Sequence, residues 1–155
     1  MYIYNKPQPN KDHCPQLYVV TIEKNGHRYT KFGKTNEAST RFSRYSNGLA
    51  NASITFVQVW DFPISDEWLT PKVHKAMEQQ IHKRLKQTGT SIIPHFKFDG
   101  YTECYDLPAD DVTKIAEGVI DEYLIHTAKN NWLQEAIAYA ATEAAATSSI
   151  SKTFQ

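Results

Sequence analysis

The sequence predicts an α/β (α+β) domain: a small, mainly antiparallel central sheet flanked by helices, with a helical extension at the C-terminus. Three features lead there. Residues 17–23 (LYVVTIE) and 28–33 (RYTKFG) are rich in β-branched and aromatic side chains and flank Asn25-Gly26. That pair tolerates positive φ at both central positions of a tight hairpin. Residues 54–62 (ITFVQVWDF) alternate in the manner of a third strand. From Val73, the residues Met77, Ile81 and Leu85 recur every four positions as the apolar stripe of a helix, and helical patterning resumes from Ala109.

Each element follows from local chemistry. Residues 1–15 hold three prolines and read as an extended arm. After the hairpin, Gly33 closes the second strand. Asn36 suits the cap of a helix over 37–46, which sets Arg41 and Tyr45 on one face. Asp66 or Thr70 opens the next helix, with Pro71 in its first turn and Gly89 as its stop. Residues 92–107 end in TECYDL, expected to be a short edge strand in which Cys104 is packed rather than reactive. From Ala109, Val112, Ile115, Val119 and Tyr123 share one face. A second, alanine-rich helix is expected over about 131–146, with Trp132 and Tyr139 as a core stripe and a frayed tail over 148–155. The organisation expected is an arm (1–15), a domain (16–108), and C-terminal helices (109–147) packed on that domain.

A chain of 155 residues with 41% hydrophobic and 22% charged residues fits one globular domain and excludes a disordered chain. Lys+Arg and Asp+Glu both number 17, which excludes a uniformly basic coat for nucleic acid. The charge is polarised, however. Residues 1–50 carry eight basic against three acidic side chains, and residues 101–155 carry three against nine. Such a chain can present a basic front to an anion. Two cysteines make no disulfide scaffold. No secretory signal or membrane span is expected, so the default location is the cytoplasm.

The sequence lacks a GxxxxGK[ST] phosphate loop, HExxH, paired CxxC and GxSxG. What it offers is a phenol, several cations and a carboxylate in a definite order. Tyr18 lies in the first strand, Lys31, Gly33 and Lys34 at the end of the second, Arg41 on the following helix, and Glu78 on the next. Pairing about Asn25-Gly26 brings Tyr18 and Lys31 onto adjacent strands. Each residue alone reads as an ordinary strand aromatic or solvated charge; the order gives them joint meaning.

The succession LYV, hairpin, KFGKT, helix with Arg41, EQQIH and TECYDL resembles the GIY-YIG nuclease superfamily. It is closest to the short phage and bacterial subgroup typified by a phage T5 open reading frame, in which lysine replaces the second tyrosine. The resemblance spans about residues 16–107. It implies a GIY-YIG-like domain and a metal-dependent DNA endonuclease of phage or mobile-element type. Tyr18, Lys31, Arg41 and Tyr45 stand at its catalytic positions, and Glu78 stands where the family holds Mg²⁺ (or Mn²⁺). Gln16-Leu17 replaces Gly-Ile, and Lys31-Phe32-Gly33 replaces YIG.

Under that resemblance the chemistry is legible. Phosphodiester hydrolysis develops negative charge on the phosphoryl and leaving oxygens. A divalent ion at Glu78 stabilises the leaving oxygen, and the planar fork of Arg41 suits phosphate. Tyr18 positions the attacking water or takes its proton, and the cations of Lys31, Lys34 and Arg41 favour its phenolate. Lys34, Arg44, Lys83 and Arg84 are expected to bind the nucleic acid, and Lys86 lies beside them. Gly33 and His82 are expected to be structural.

His74, Glu78 and His82 share one helix face, but groups spread over two turns splay too widely for a tetrahedral zinc centre. The alternatives are a nucleic-acid-binding module without cleavage, or a phage factor acting on a host protein. A homodimer or protein partner would use the C-terminal helices.

Overall fold

The computed structural model describes residues 3–5, 7–10, 14–42, 49–62, 71–98 and 100–153. Its strands are β1 (Ile3–Asn5), β2 (Gln16–Lys24), β3 (His27–Thr35), β4 (Ser53–Asp61), β5 (Ser91–Ile92) and β6 (Cys104–Tyr105). Its helices are α1 (Ala38–Arg41), α2 (Pro71–Gln87) and α3 (Ala109–Thr153). The strands form one sheet in the order β1-β4-β2-β3-β6-β5. Every pairing is antiparallel except that of β1 with β4. This is the mixed α/β architecture the sequence predicts.

The hairpin sets the frame. Asn25 and Gly26 both take positive φ, 53° and 78°, as a two-residue turn of primed type requires. The register then pairs Tyr18 with Gly33 and Val20 with Lys31. Alternation sends Leu17, Val19 and Phe32 to one face, against Met77, Ile81 and Leu85 of α2 and Val112, Ala116 and Val119 of α3. All of these are fully buried, and each of the larger side chains contributes about 1.5–3 kcal/mol. Tyr18, Val20 and Ile22 face the other way, onto Phe42, Leu49 and Phe98. The site therefore forms where two half-cores meet across one sheet.

Several expectations are corrected. The arm is not merely extended: Ile3–Asn5 pair with Ser53–Thr55 as a parallel strand. Asn10 anchors the segment that follows, since its side-chain amide donates to the carbonyls of Cys14 and Asn36. Asn36 does not cap α1. Glu37 holds the cap position in an extended conformation without a side-chain cap bond. The first-turn N–H of Ala38 donates instead to Gln16 Oε1 at 2.8 Å, while Gln16 Nε2 donates to Asp61. A long-range glutamine thus satisfies a donor that a local Asn was expected to take. The described part of α1 is four residues long, and Arg44 and Tyr45 lie outside the described residues, as do Asp66 and Thr70.

β6 is not an edge strand, because β5 pairs beyond it. The C-terminal region is one helix of 45 residues through Thr153, not two helices and a frayed tail. Val112, Ala116, Val119 and Ile120 in its first part pack into the core. Residues 136–142 are all exposed, Tyr139 to 68%, so Tyr139 belongs to no core stripe; the Trp132 side chain lies outside the described residues. Among the described residues no helix is long and apolar enough to cross a membrane.

Candidate active site

The hairpin places Tyr18 and Lys31 diagonally on one face of the sheet, within reach of long side chains. Lys31 Nζ donates to the Tyr18 hydroxyl at 2.9 Å. Tyr18 is 0% exposed and Lys31 1%. The ammonium also lies 5.1 Å from the Tyr18 ring centroid and 6.0 Å from that of Phe42, so aromatic faces replace part of its lost hydration.

Two glycines make room for this pair. A Cβ on Gly33 would meet the Tyr18 hydroxyl at 2.6 Å and Lys31 Nζ at 2.8 Å. A Cβ on Gly100 would meet Lys31 Cε at 2.6 Å, and Gly100 has φ +83°. Gly33, expected to be structural, lies directly against the Tyr18 hydroxyl and the Lys31 ammonium.

Glu78 and His82 approach from the opposite face of the sheet, one turn apart on α2. The junction is Glu103, immediately before β6. Its Oε1 lies 3.8 Å from Lys31 Nζ and its Oε2 lies 2.7 Å from His82 Nε2. His82 Nε2 is also 3.5 Å from Glu78 Oε1, and Lys34 Nζ is 3.7 Å from Glu78 Oε2. β6 is only two residues long, so β3 is left unpaired by it beyond Lys31, and Glu103 occupies the gap. The result is a continuous chain of groups: Tyr18, Lys31, Glu103, His82, Glu78, Lys34.

The charges respond to one another. Burial acts to raise the Glu103 pKa, but contact with His82 and the charges of Lys31 and Arg41 outweigh it, and the carboxyl is held below its ordinary value. Burial acts to lower the His82 pKa, but the carboxylates of Glu103 and Glu78 outweigh it, and the imidazole is shifted upward. His74, buried on the same helix, is shifted downward by desolvation and then by Lys34. The Cys104 thiol is pushed up to about 12 by burial, consistent with a packed cysteine.

Glu78, His82 and Glu103 each offer a donor atom, and the three atoms lie within 4.8 Å of one another. Donors around a six-coordinate ion at about 2.1 Å sit roughly 3–4 Å apart, so small side-chain adjustments would seat one. Nε2 of His82 is buried and has no aligned hydrogen-bond partner despite its two close carboxylates. These residues therefore fit a divalent cation. His74 is not part of this group.

Beside the group runs a cleft of about 730 Å³ whose walls include Gln79, His82, Lys83, Lys86, Thr102 and Glu103. Lys83, expected to bind nucleic acid, lines it, and so does Lys86. Arg84 does not: it pairs with Glu122 of α3 at 2.6 Å. Arg41 stands close enough to act on Glu103 electrostatically. The residue that sequence reasoning left without a role is Glu103. Its only signal was its place in TECYDL, in a loop with no periodicity to assign it a face.

No family model, curated protein or solved structure matches the chain.

Proposed function

We propose that the chain is a metal-dependent DNA endonuclease of the GIY-YIG type, hydrolysing phosphodiester bonds. The observation that carries this reading is the convergence of Tyr18, Lys31, Glu103, His82 and Glu78 from four separate segments, beside a cleft with two lysines on its wall. The order of motifs in the sequence supports it independently.

In this reading Lys83 and Lys86 hold backbone phosphates along α2. Arg41 and Lys34 supply positive charge to the scissile phosphate. Lys31 fixes the Tyr18 oxygen, and Tyr18 orients the attacking water. Glu78 holds the divalent ion, Mg²⁺ or Mn²⁺, which when bound supplies Lewis-acid charge to the leaving oxygen.

A second reading, nucleic-acid binding without cleavage, draws on one observation. Tyr18 and Lys31 have essentially no solvent contact, so arrival of DNA must uncover them before they can act. Incubation of supercoiled plasmid with the full chain and Mg²⁺ or Mn²⁺ separates the two readings. Nicking or linearisation abolished by EDTA supports the nuclease. Salt-sensitive binding with intact plasmid supports the module that only binds.

A further inference from the structure

His82 is more than a helix residue packed beside the site. Its ring is held on both sides. Nδ1 lies 2.7 Å from the Tyr105 hydroxyl, and the ring packs edge-on to Phe32 at 5.1 Å between centroids. Tyr105 is 1% exposed and fixed in β6, opposite Thr30 of β3. The Tyr105 hydroxyl has lone pairs that can accept from Nδ1–H. With Nδ1 engaged there, Nε2 is the ring nitrogen left to face Glu78 and Glu103. This is the arrangement in which an outer partner sets the tautomer of a metal-binding histidine.

The two carboxylates are themselves held. Lys34 lies against Glu78 at 3.7 Å and Lys31 against Glu103 at 3.8 Å. Each cation contacts the carboxylate oxygen that His82 does not: Oε2 of Glu78 and Oε1 of Glu103. The oxygens left facing His82 are Oε1 of Glu78 and Oε2 of Glu103. Two oxygens and one imidazole nitrogen therefore face one point.

We propose that Glu78, His82 and Glu103 together form the metal centre, binding through one carboxylate oxygen from each glutamate and Nε2 of His82, and that the centre prefers a first-row transition ion such as Mn²⁺ to Mg²⁺. This rests on the metal-dependent reading above and changes its ligand set from one carboxylate to three side chains. The preference follows from donor chemistry. Mg²⁺ favours oxygen ligands and retains its waters, whereas imidazole suits transition ions. Glu103 then has two cationic partners, the ion and Lys31, and couples the metal to the Tyr18–Lys31 pair.

The test uses the full chain with Mn²⁺ or Mg²⁺ alone. Calorimetry is expected to show Mn²⁺ binding at least about tenfold tighter than Mg²⁺. Pulsed EPR of the Mn²⁺-loaded wild type is expected to show ¹⁴N coupling from a directly bound imidazole. This second measurement needs no variant, so it decides the matter even if His82 variants misfold. In a folded His82→Gln chain, Mn²⁺ affinity is expected to fall roughly tenfold or more and Mg²⁺ affinity by about threefold at most. Bound Mn²⁺ without ¹⁴N coupling overturns the three-ligand centre and leaves a nuclease with Glu78 as ligand standing. No binding of either ion overturns both. Bound Mn²⁺ with ¹⁴N coupling but no plasmid cleavage upholds the centre and removes the nuclease reading.

Discussion

The ammonium of Lys31 lies 2.9 Å from the Tyr18 hydroxyl, and neither group meets solvent. A fully buried lysine is costly to desolvate, and its ion-pair partner Glu103 is 3.8 Å away and one-third exposed. Such a residue is poor value as a structural element, which points to a functional reason for its presence. Lys31→Met keeps much of the volume and removes the charge. Glu103 retains His82 and some water, so it is not stranded. Cleavage is expected to fall at least about 100-fold, while stability to urea is unchanged or rises by about 1–2 kcal/mol. Loss of more than about 3 kcal/mol with cleavage intact would make Lys31 structural.

Gly100 and Gly118 give a paired test of the glycine argument. Gly100→Ala forces a side chain at φ +83° and presses a Cβ to 2.6 Å from Lys31 Cε. Cleavage is expected to drop at least about tenfold and stability by about 1–2 kcal/mol. Gly118, on α3, has nothing within 4 Å of an added Cβ, so Gly118→Ala is expected to stabilise by about 0.5–1 kcal/mol without affecting cleavage. Thermal melts and a plasmid assay on both variants check this.

The histidines of α2 are expected to titrate on opposite sides of 6.5 in metal-free protein. His82 is shifted up, so the folded state binds more protons than the unfolded one above about 6.5. Its contribution is complete below that value and is lost as pH rises through the folded pKa. His74 is shifted down, so the unfolded state binds more protons below about 6.5, and stability falls as pH drops toward the folded pKa. NMR titration of the ring protons should place the His82 midpoint above that of His74. The reverse order would contradict the burial and carboxylate contacts described.

The first part of α3 belongs to the core, whereas residues 136–142 are exposed. Burial of Val112, Val119 and Ile120 is worth about 5–9 kcal/mol together, comparable with the whole stability of a small domain. A chain ending at residue 108 is therefore expected not to fold. One ending at residue 135, which loses the exposed segment 136–142 and everything after it, should fold with a Tm within a few degrees of the full chain. Circular dichroism melts of both chains test this.

The hairpin, the third strand and α2 were legible because local chemistry and tertiary structure agree there. Asn25-Gly26 fixes the register, and the register alone places Lys31 diagonal to Tyr18. Arg84 reads in the sequence as part of a basic helix end, and only packing shows that it pairs with Glu122 of α3. The sequence reads as two helical stretches, one from Ala109 and one over about 131–146, and Asn130 and Asn131 lie where they run together in one helix. Their helix penalty is only about 0.7 kcal/mol each, so neighbouring residues override it. β1 was invisible because a three-residue strand carries no periodicity. Glu103 was visible as a letter in TECYDL, but its role depends on β6 being short enough to leave it beside Lys31 and His82.

The central claim is that the group around Glu78 performs chemistry rather than merely binding DNA. Its most direct test is Glu78→Gln in parallel cleavage and binding measurements. Supercoiled plasmid with Mn²⁺ reads cleavage, and fluorescence anisotropy of a labelled duplex reads binding. The account predicts that cleavage falls at least about 100-fold while duplex affinity stays within about threefold. Cleavage by the folded variant at the wild-type rate would contradict it.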